Sequence, residues 1–216
     1  GYVYRPELVW QLHTIVSSGC RAPNLDDVGK IREKNGYVTA PKIQLEPEYV
    51  YNFESGILKY FNDKAFQINL NAYYTLLTNY MTRDYIMFNN SDKILYDGEM
   101  GATVSNVNKD NTQIFGGTFG MRGNLNDTWF ARGSVTYTKG KELDTNTPLS
   151  SIPPLFGVVE VGFEKEQFQA YINWKFNGKK PIDDYNLVEG IDNEGQTPFN
   201  SITGNYYGSP SWSTFN

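Results

Sequence analysis

The sequence predicts an all-β protein, an antiparallel up-and-down meander forming part of a large transmembrane β-barrel. Three observations lead there. Residues 168–176 alternate apolar and polar side chains, Phe168, Ala170, Ile172 and Trp174 against Gln169, Asn173 and Lys175, which gives a strand with one oily and one wet face. The pattern recurs along the chain, with turns of a few residues on one side and loops of roughly 15 to 35 residues on the other, the layout of an outer-membrane barrel. Only 39% of the 216 residues are apolar, while Tyr and Phe are common, which suits a β protein with a wetted interior. No apolar run approaches the ~18 residues of a spanning helix, but a spanning strand needs only ~9 to 11 and leaves no hydropathy peak.

The elements follow in order. Gly1 to Tyr4 reads as the end of a strand already under way, and Arg5, Pro6 and Glu7 turn it. A strand from about Leu8 to Ser18 sets Trp10, Leu12, Thr14 and Val16 against Gln11, His13 and Ser17, with Ile15 as the one misfit. After a loop near 19–47, Glu48 to Tyr60 opposes Tyr51, Phe53 and Ile57 to Asn52, Glu54 and Gly56. Asn62, Asp63 and Lys64 have hairpin-turn chemistry. From Phe66 to about Tyr80, Phe66, Ile68, Leu70, Ala72 and Tyr74 oppose Gln67, Asn69, Asn71, Tyr73 and Thr75, and a one-residue slip would put two Asn and a Gln into lipid.

A long loop near 81–112 follows, with extended patches at Tyr85–Phe88 and Lys93–Tyr96 that suggest a hairpin above the rim. Gln113 to Asn124 descends, residues 124–127 turn, and Trp129 to Lys139 ascends with Trp129, Ala131, Val135 and Tyr137 opposite Arg132, Ser134, Thr136 and Thr138. Beyond a loop near 140–155, Phe156 to Glu164 and Phe168 to Phe176 form the next hairpin around Lys165 and Glu166. A loop near 177–210 leads to Ser211–Phe215, where alternation resumes. This makes one partial-barrel domain over 1–216, with about seven complete strands and unfinished ones at both ends. Because membrane barrels close on even numbers of strands from about 8 upward, a piece of a larger barrel is expected.

The net charge of −5 comes from interspersed acids and bases, so a nucleic-acid partner is not expected. One cysteine, Cys20, excludes an internal disulfide, and one histidine, His13, excludes metal sites built on several Cys or His ligands. The carboxylate pairs Asp26–Asp27 and Asp183–Asp184 lack EF-hand spacing and read as solvated charge. No metal site, no cofactor and no catalytic residues are expected, since no nucleophile with a base and orienting group is visible.

At the first loop stand Ser17–Ser18–Gly19–Cys20–Arg21–Ala22–Pro23–Asn24, then Asp26–Asp27–Val28–Gly29–Lys30, and later Leu45–Glu46–Pro47–Glu48–Tyr49. With Tyr73–Leu77, Tyr96–Asp97–Gly98, Pro148–Gly157 and Ser209–Trp212, nearly the whole chain resembles a TonB-dependent outer-membrane receptor of the Bacteroidetes type. That family carries a Phe-Arg-Ala-Pro box, matched by Cys20, Arg21, Ala22 and Pro23 with Cys for Phe. Its Asn-Pro-Asn-Leu-Lys-Pro-Glu box is matched by Leu45, Pro47 and Glu48, with Glu46 for Lys. The resemblance implies a roughly 22-stranded barrel in a Gram-negative outer membrane, filled by a plug domain. It also implies uptake of a scarce nutrient such as an iron chelate (siderophore), haem or cobalamin, energised through TonB. This chain would be the later part of that barrel, without the plug and the last strands, and no enzyme.

Pro23 ends strand pairing for want of an N–H, and Arg21 can anchor the loop base through its planar donor fork. Residues 24–44 lack the histidine that haem-carrying members place between the boxes, and His13 reads as a hydrogen-bonded lumen residue. Cys20 reads as an apolar filler. The ligand-facing loop candidates are Arg21, Tyr37, Arg83, Tyr85, Tyr206 and Tyr207, with Trp212 beside them; for the aromatics, an interfacial belt is the competing role. Arg122, Arg132, Glu54 and Glu160 read as a lumen network that holds the plug. The implied partners are outer-membrane lipid, the plug and remaining strands, TonB through the parent protein, and a small-molecule cargo. Two other readings of the strands stay open, a passive porin and a secreted carbohydrate-binding β-sandwich whose apolar faces would be buried against each other.

Overall fold

The computed structural model describes residues 1–34, 36–61, 65–149, 151–186 and 199–216. Its strands are β1 (Tyr2–Tyr4), β2 (Trp10–Arg21), β3 (Arg32–Lys34), β4 (Tyr37–Thr39), β5 (Glu48–Phe61), β6 (Phe66–Tyr85), β7 (Lys93–Tyr96), β8 (Glu99–Asn124), β9 (Trp129–Glu142), β10 (Phe156–Lys165), β11 (Phe168–Asn177), β12 (Phe199–Asn200), β13 (Asn205–Tyr206) and β14 (Trp212–Phe215), with a short α-helix, α1 (Leu25–Gly29), and a 3-10 turn at Ile182–Asp184 among the described residues. The main sheet runs β1-β2-β5-β6-β8-β9-β10-β11-β14, each neighbour antiparallel to the next. This is an up-and-down meander, and the sheet is open, with β1 and β14 at its edges among the described residues.

Register turns the alternation of each strand into continuous rows. Leu12 stands opposite Ile57, Ile57 opposite Leu70, Leu70 opposite Phe119 and Phe119 opposite Val135. Farther along the sheet, Val161 faces Ile172 and Val159 faces Trp174. No second layer covers these rows: Phe53 is 49% exposed, Leu70 54% and Ile172 66%. A β-sandwich would bury them, so that reading is overturned. Contiguous apolar surface on this scale needs an apolar solvent, and the hydrocarbon of a bilayer supplies one.

Aromatic residues mark the two ends of the apolar face. Near the short turns lie Trp10, Phe61, Phe66, Trp129, Phe163 and Phe168, with Trp129 and Phe163 centroids 5.2 Å apart and Phe61 and Phe66 5.7 Å apart. Lys59 lies along this rim with its Nζ 4.1 Å from the Trp10 ring, an apolar stem ending in a charge at headgroup depth. Tyr49, Tyr51, Tyr74, Phe115 and Tyr137 mark the other end. From Phe66 to Tyr74 the chain advances about 26 Å along the strand, or about 20 Å of depth at a tilt of about 40°, close to the ~25 Å apolar band of such barrels.

The opposite face is polar and hydrogen-bonded. His13 Nε2 and Asn71 Oδ1 are 3.2 Å apart, and Asn71 Nδ2 donates to Glu54 Oε1 at 2.9 Å. Gly56 lies beneath this bridge, where a Cβ would fall 2.3 Å from His13. Thr75 donates to Asn52 at 2.7 Å, and Thr118 and Thr136 hydroxyls meet at 2.9 Å. Ile15 stays on this face, opposite Glu54. The turn after β8 is set by Asn126, whose Oδ1 accepts from the Thr128 and Trp129 N–H groups at 2.9 and 2.8 Å. The turn expected at Asn62, Asp63 and Lys64 lies outside the described residues.

The long connections leave the end of the sheet opposite the short turns, and their described residues hold more strand and helix than the expected loops. The segment near 81–112 is largely strand, because β6 runs on to Tyr85 and β8 starts at Glu99. Two-residue reversals permit this: Asn89 and Asn90 have φ of 50° and 62°, Asp97 and Gly98 have 50° and 86°, and each pair sits between bridged residues. The segment near 19–47 holds α1 and the β3–β4 hairpin, β9 continues to Glu142 in the segment near 140–155, and that near 177–210 holds the β12–β13 hairpin. The tight core sits here, above the apolar band, where Val38, Ala40, Leu77, Met81 and Val104 are buried together with Thr39, Thr82, Thr103 and Ser105.

Leu70 and Ile172 each lie midway between the aromatic rims of their strands. Leu70→Arg and Ile172→Arg should each cost the intact barrel about 2–4 kcal/mol, while Tyr51→Arg at the rim should cost about 0–1 kcal/mol through its charge, read from denaturant unfolding in lipid vesicles.

Candidate functional site

The site grows from the corner where β2 ends. Arg21 donates twice to Asp27, from Nη2 to Oδ1 at 2.7 Å and to Oδ2 at 2.8 Å. Asp27 also belongs to a reciprocal cap on α1: the Asn24 N–H donates to Asp27 Oδ2 at 2.9 Å and the Asp27 N–H to Asn24 Oδ1 at 3.0 Å. Arg21 is thereby a corner post that holds α1. Pro23 follows two residues after the strand, and Cys20 lies on the apolar face opposite Tyr49.

The second box closes the same loop. Asn108 Oδ1 accepts from the Glu46 N–H at 2.9 Å, and its Nδ2 donates to the Glu46 carbonyl at 2.9 Å and the Asn79 carbonyl at 2.8 Å. Asn79, at φ 55°, turns its own Nδ2 to Glu46 Oε2 at 3.1 Å. Glu48 Oε2 takes the Met81 N–H at 2.9 Å. Leu45 and Pro47 flank this clamp, so the box residues tie the start of β5 to the projecting ends of β6 and β8.

Register decides which way the loop folds. On β6 and β8 the polar face carries Asn71 opposite Thr118 and Tyr73 opposite Gly116, and two-residue steps upward bring Met81 opposite Asn108, Arg83 opposite Asn106 and Tyr85 opposite Val104. Asn106 donates to the Asp27 carbonyl at 3.0 Å, so α1 lies over this same face. The loop then crosses to the far edge of β8, where β4 pairs in parallel, Tyr37 beside Ala102 and Thr39 beside Val104. Loop 22–47 therefore folds inward over the polar side of the β6–β8 arm.

That crossing brings three of the expected residues together. Tyr37 and Tyr85 rings lie 6.1 Å apart and their hydroxyls 3.5 Å apart, and Arg83 is one two-residue step below Tyr85 on the same face. Arg83 Nε is buried without a hydrogen-bond partner. The hydrogen bond to Tyr37, with burial and Asp84 adding to it, raises the Tyr85 pKa above its ordinary value and keeps the phenol neutral. Leu95 and Met100, opposite one another at the tip, extend this face as exposed apolar surface. The outer side of the arm is pinned by an ion pair between Lys109 and Asp84, whose hydrogen bond raises the Lys109 pKa against the opposing effect of burial.

The other expected residues lie elsewhere. Tyr206 stacks edge-on against Phe199 at 4.9 Å within the separate β12–β13 hairpin, and Tyr207 is exposed beside it, accepting from the Asn200 amide. Trp212 pairs with Asn177 and falls on the polar-face row that also carries Phe156, not on the outer belt. Lower in the wall, Arg122, Arg132, Glu160, Glu164, Tyr171 and Lys175 surround a depression of about 680 Å³. Arg132 stands 2.7 Å from Glu160 as an ion pair without hydrogen-bond alignment, so Glu160 Oε1 has no hydrogen bond. Sequence reasoning missed the clamp residues Asn79, Asn106 and Asn108 and also the helix α1, for which the Asn24-x-x-Asp27 capping pattern was an available but unread signal.

The whole chain, residues 1–216, matches the family described as TonB dependent receptor-like, beta-barrel. No curated protein matches it by sequence. Among solved structures it is similar to the copper transporter OprC (17% identity, TM-score 0.70), the siderophore receptor PirA from Acinetobacter baumannii (14%, 0.71) and a variant of the ferric enterobactin receptor PfeA from Pseudomonas aeruginosa (14%, 0.73). Each likeness covers 99% of this chain but only 29%, 32% and 30% of the respective neighbour, so the chain spans about a third of their length.

Asn108→Ala should cost about 1–3 kcal/mol by removing the three hydrogen bonds that tie Glu46 and Asn79 to β8, and hydrogen exchange should then speed up in residues 22–47 and not in the β9–β11 wall. The raised Lys109 and Tyr85 values mean that the folded arm binds protons more tightly than the unfolded one. Its protection should hold through neutral pH and fall once pH rises past about 10, measured by exchange or proteolysis of residues 81–107.

Proposed function

The chain belongs to the TonB-dependent receptor-like β-barrel family, and from that premise we propose that it forms the later part of the wall of an outer-membrane receptor that captures a scarce nutrient for uptake energised through TonB. The plug and the remaining wall strands belong to other parts of the parent protein. This chain supplies the polar lining against which the plug would rest, with Arg122, Arg132 and Glu160 as its charged contacts, and the loops that meet the cargo.

The observation that carries this reading is the shared face of Tyr37, Arg83 and Tyr85. The register that turns Asn69, Asn71 and Tyr73 toward the lumen puts Arg83 and Tyr85 on the same face higher up, and the pairing of β4 with β8 brings Tyr37 against Tyr85. Two aromatic rings offer flat apolar contact and an arginine offers a fork for carboxylate or phenolate oxygens. An iron chelate has both kinds of group, and the neighbours described as a siderophore receptor and a ferric enterobactin receptor support that choice. Tyr206, Tyr207 and Trp212 stand as secondary cargo contacts.

The test is growth and labelled-cargo uptake by a strain deleted for the parent gene and supplied with an iron chelate, haem or cobalamin as the limiting nutrient. Arg83→Ala and Tyr85→Ala should each weaken cargo binding by about tenfold, or about 1.4 kcal/mol, with barrel assembly intact by heat-modifiable migration. Uptake that persists after TonB is inactivated would instead indicate a passive porin.

A further inference from the structure

The two-residue period also sorts charge on the arm. Register sets Arg32 opposite Thr39, Thr39 beside Val104 and Val104 opposite Tyr85 in one row. The row above holds Tyr37, Ala102 and Lys93, and the row below holds Asn106 and Arg83. Arg32, Arg83 and Lys93 therefore share the face of Tyr37 and Tyr85. Within the paired segments 32–34, 37–39, 83–85, 93–96 and 99–106 the carboxylates are Glu33, Asp84 and Glu99. They stand opposite Val38, Ser105 and Tyr96, and so fall on the other face.

The three cations are also uncommitted. Arg21, Lys109 and Lys139 each pair with a carboxylate, whereas Arg32, Arg83 and Lys93 pair with none among the described residues. Arg32 and Lys93 are exposed, and the buried Arg83 Nε has no hydrogen-bond partner, an acceptor that a bound anion would supply. Strand spacing and rise put the three Cα atoms at the corners of a triangle about 13–16 Å on a side. Long side chains from all three corners reach its centre, where the small Ala102 leaves a floor between Tyr37 and Lys93. The chain as a whole has a net charge of −5, so an anion is drawn here by this local patch and not by the general field. We propose that Arg32 and Lys93, together with Arg83, select cargo by charge. The site takes a ferric complex whose ligand oxygens leave it with several negative charges, such as a tris-catecholate, in preference to a neutral one such as a tris-hydroxamate. Rings of the chelate lie on Tyr37 and Tyr85 while its oxygens face the three cations. This deepens the iron-chelate reading above and rests on it.

The experiment measures binding of a ferric tris-catecholate and a neutral ferric tris-hydroxamate of similar size to the intact receptor in detergent, by quenching of intrinsic fluorescence. Wild type should bind the anionic complex about tenfold more tightly, and raising salt from about 0.05 to 0.5 M should remove most of that preference. Arg32→Glu and Lys93→Glu should each lower the ratio of the two affinities about tenfold, Lys93→Arg should keep it, and Lys165→Glu, the same charge change at a short turn, should leave it unaltered. Equal binding of the two complexes, a ratio unmoved by both Arg32→Glu and Lys93→Glu, or an equal fall in Lys165→Glu would overturn the charge selection and leave the chelate reading standing. Binding of neither complex would overturn both.

Discussion

The structure depends on a two-residue period held in register across adjacent strands. In hydrocarbon every backbone N–H and C=O must find a partner within the protein, and a sheet meets that demand through its ladders. The ladder also locks side chains into rows, so a change of register carries a whole row to the other face. Leu12, Ile57, Leu70, Phe119 and Val135 make one such row on five successive strands. A shift of one residue in β6 alone would carry Asn69 and Asn71 to the lipid side and break the His13–Asn71–Glu54 chain of contacts on the other.

The same period governs the functional end. β6 and β8 outrun the bilayer without losing register, and the lumen face becomes, higher up, the face that carries Arg83 and Tyr85. Arg83 and Tyr85 are thus placed by the wall itself rather than by loop tips, which holds their geometry more tightly. Loop 22–47 is fixed against that face by Arg21–Asp27, Glu46–Asn108 and Glu48–Met81, so the two family boxes act as the fasteners at its two ends. Their residues serve the corner, and Tyr37 is carried between them.

The wall was legible in the sequence because its physics is local: alternation in β5, β6, β9 and β11 needs only neighbours two residues apart. The resemblance located Arg21 and Glu48, and the fork-forming chemistry of arginine was enough to anticipate a loop-base anchor. The extent of the arm was not legible. Lys109, Asp110 and Asn111 interrupt the hydropathy pattern where β8 leaves the bilayer, and beyond them Thr103, Val104 and Ser105 are buried at successive positions, so no two-residue apolar stripe reveals the strand. The signs that remained were the reversals at Asn89–Asn90 and Asp97–Gly98. The crossing of loop 22–47 was hidden for another reason, since parallel pairing of β4 with β8 joins residues more than sixty positions apart and leaves no periodic trace.

The central claim is that one face of each strand meets lipid and the other a wet interior. It is tested most directly by placing a spin label at positions 70, 71, 72, 73 and 74 of the intact receptor in vesicles and comparing collision with oxygen, which concentrates in hydrocarbon, and with a water-soluble nickel chelate. Labels replacing Leu70, Ala72 and Tyr74 should favour oxygen, and those replacing Asn71 and Tyr73 should be shielded from lipid. Uniform accessibility along the five positions, or preference for the aqueous reagent at 70 and 72, would contradict it.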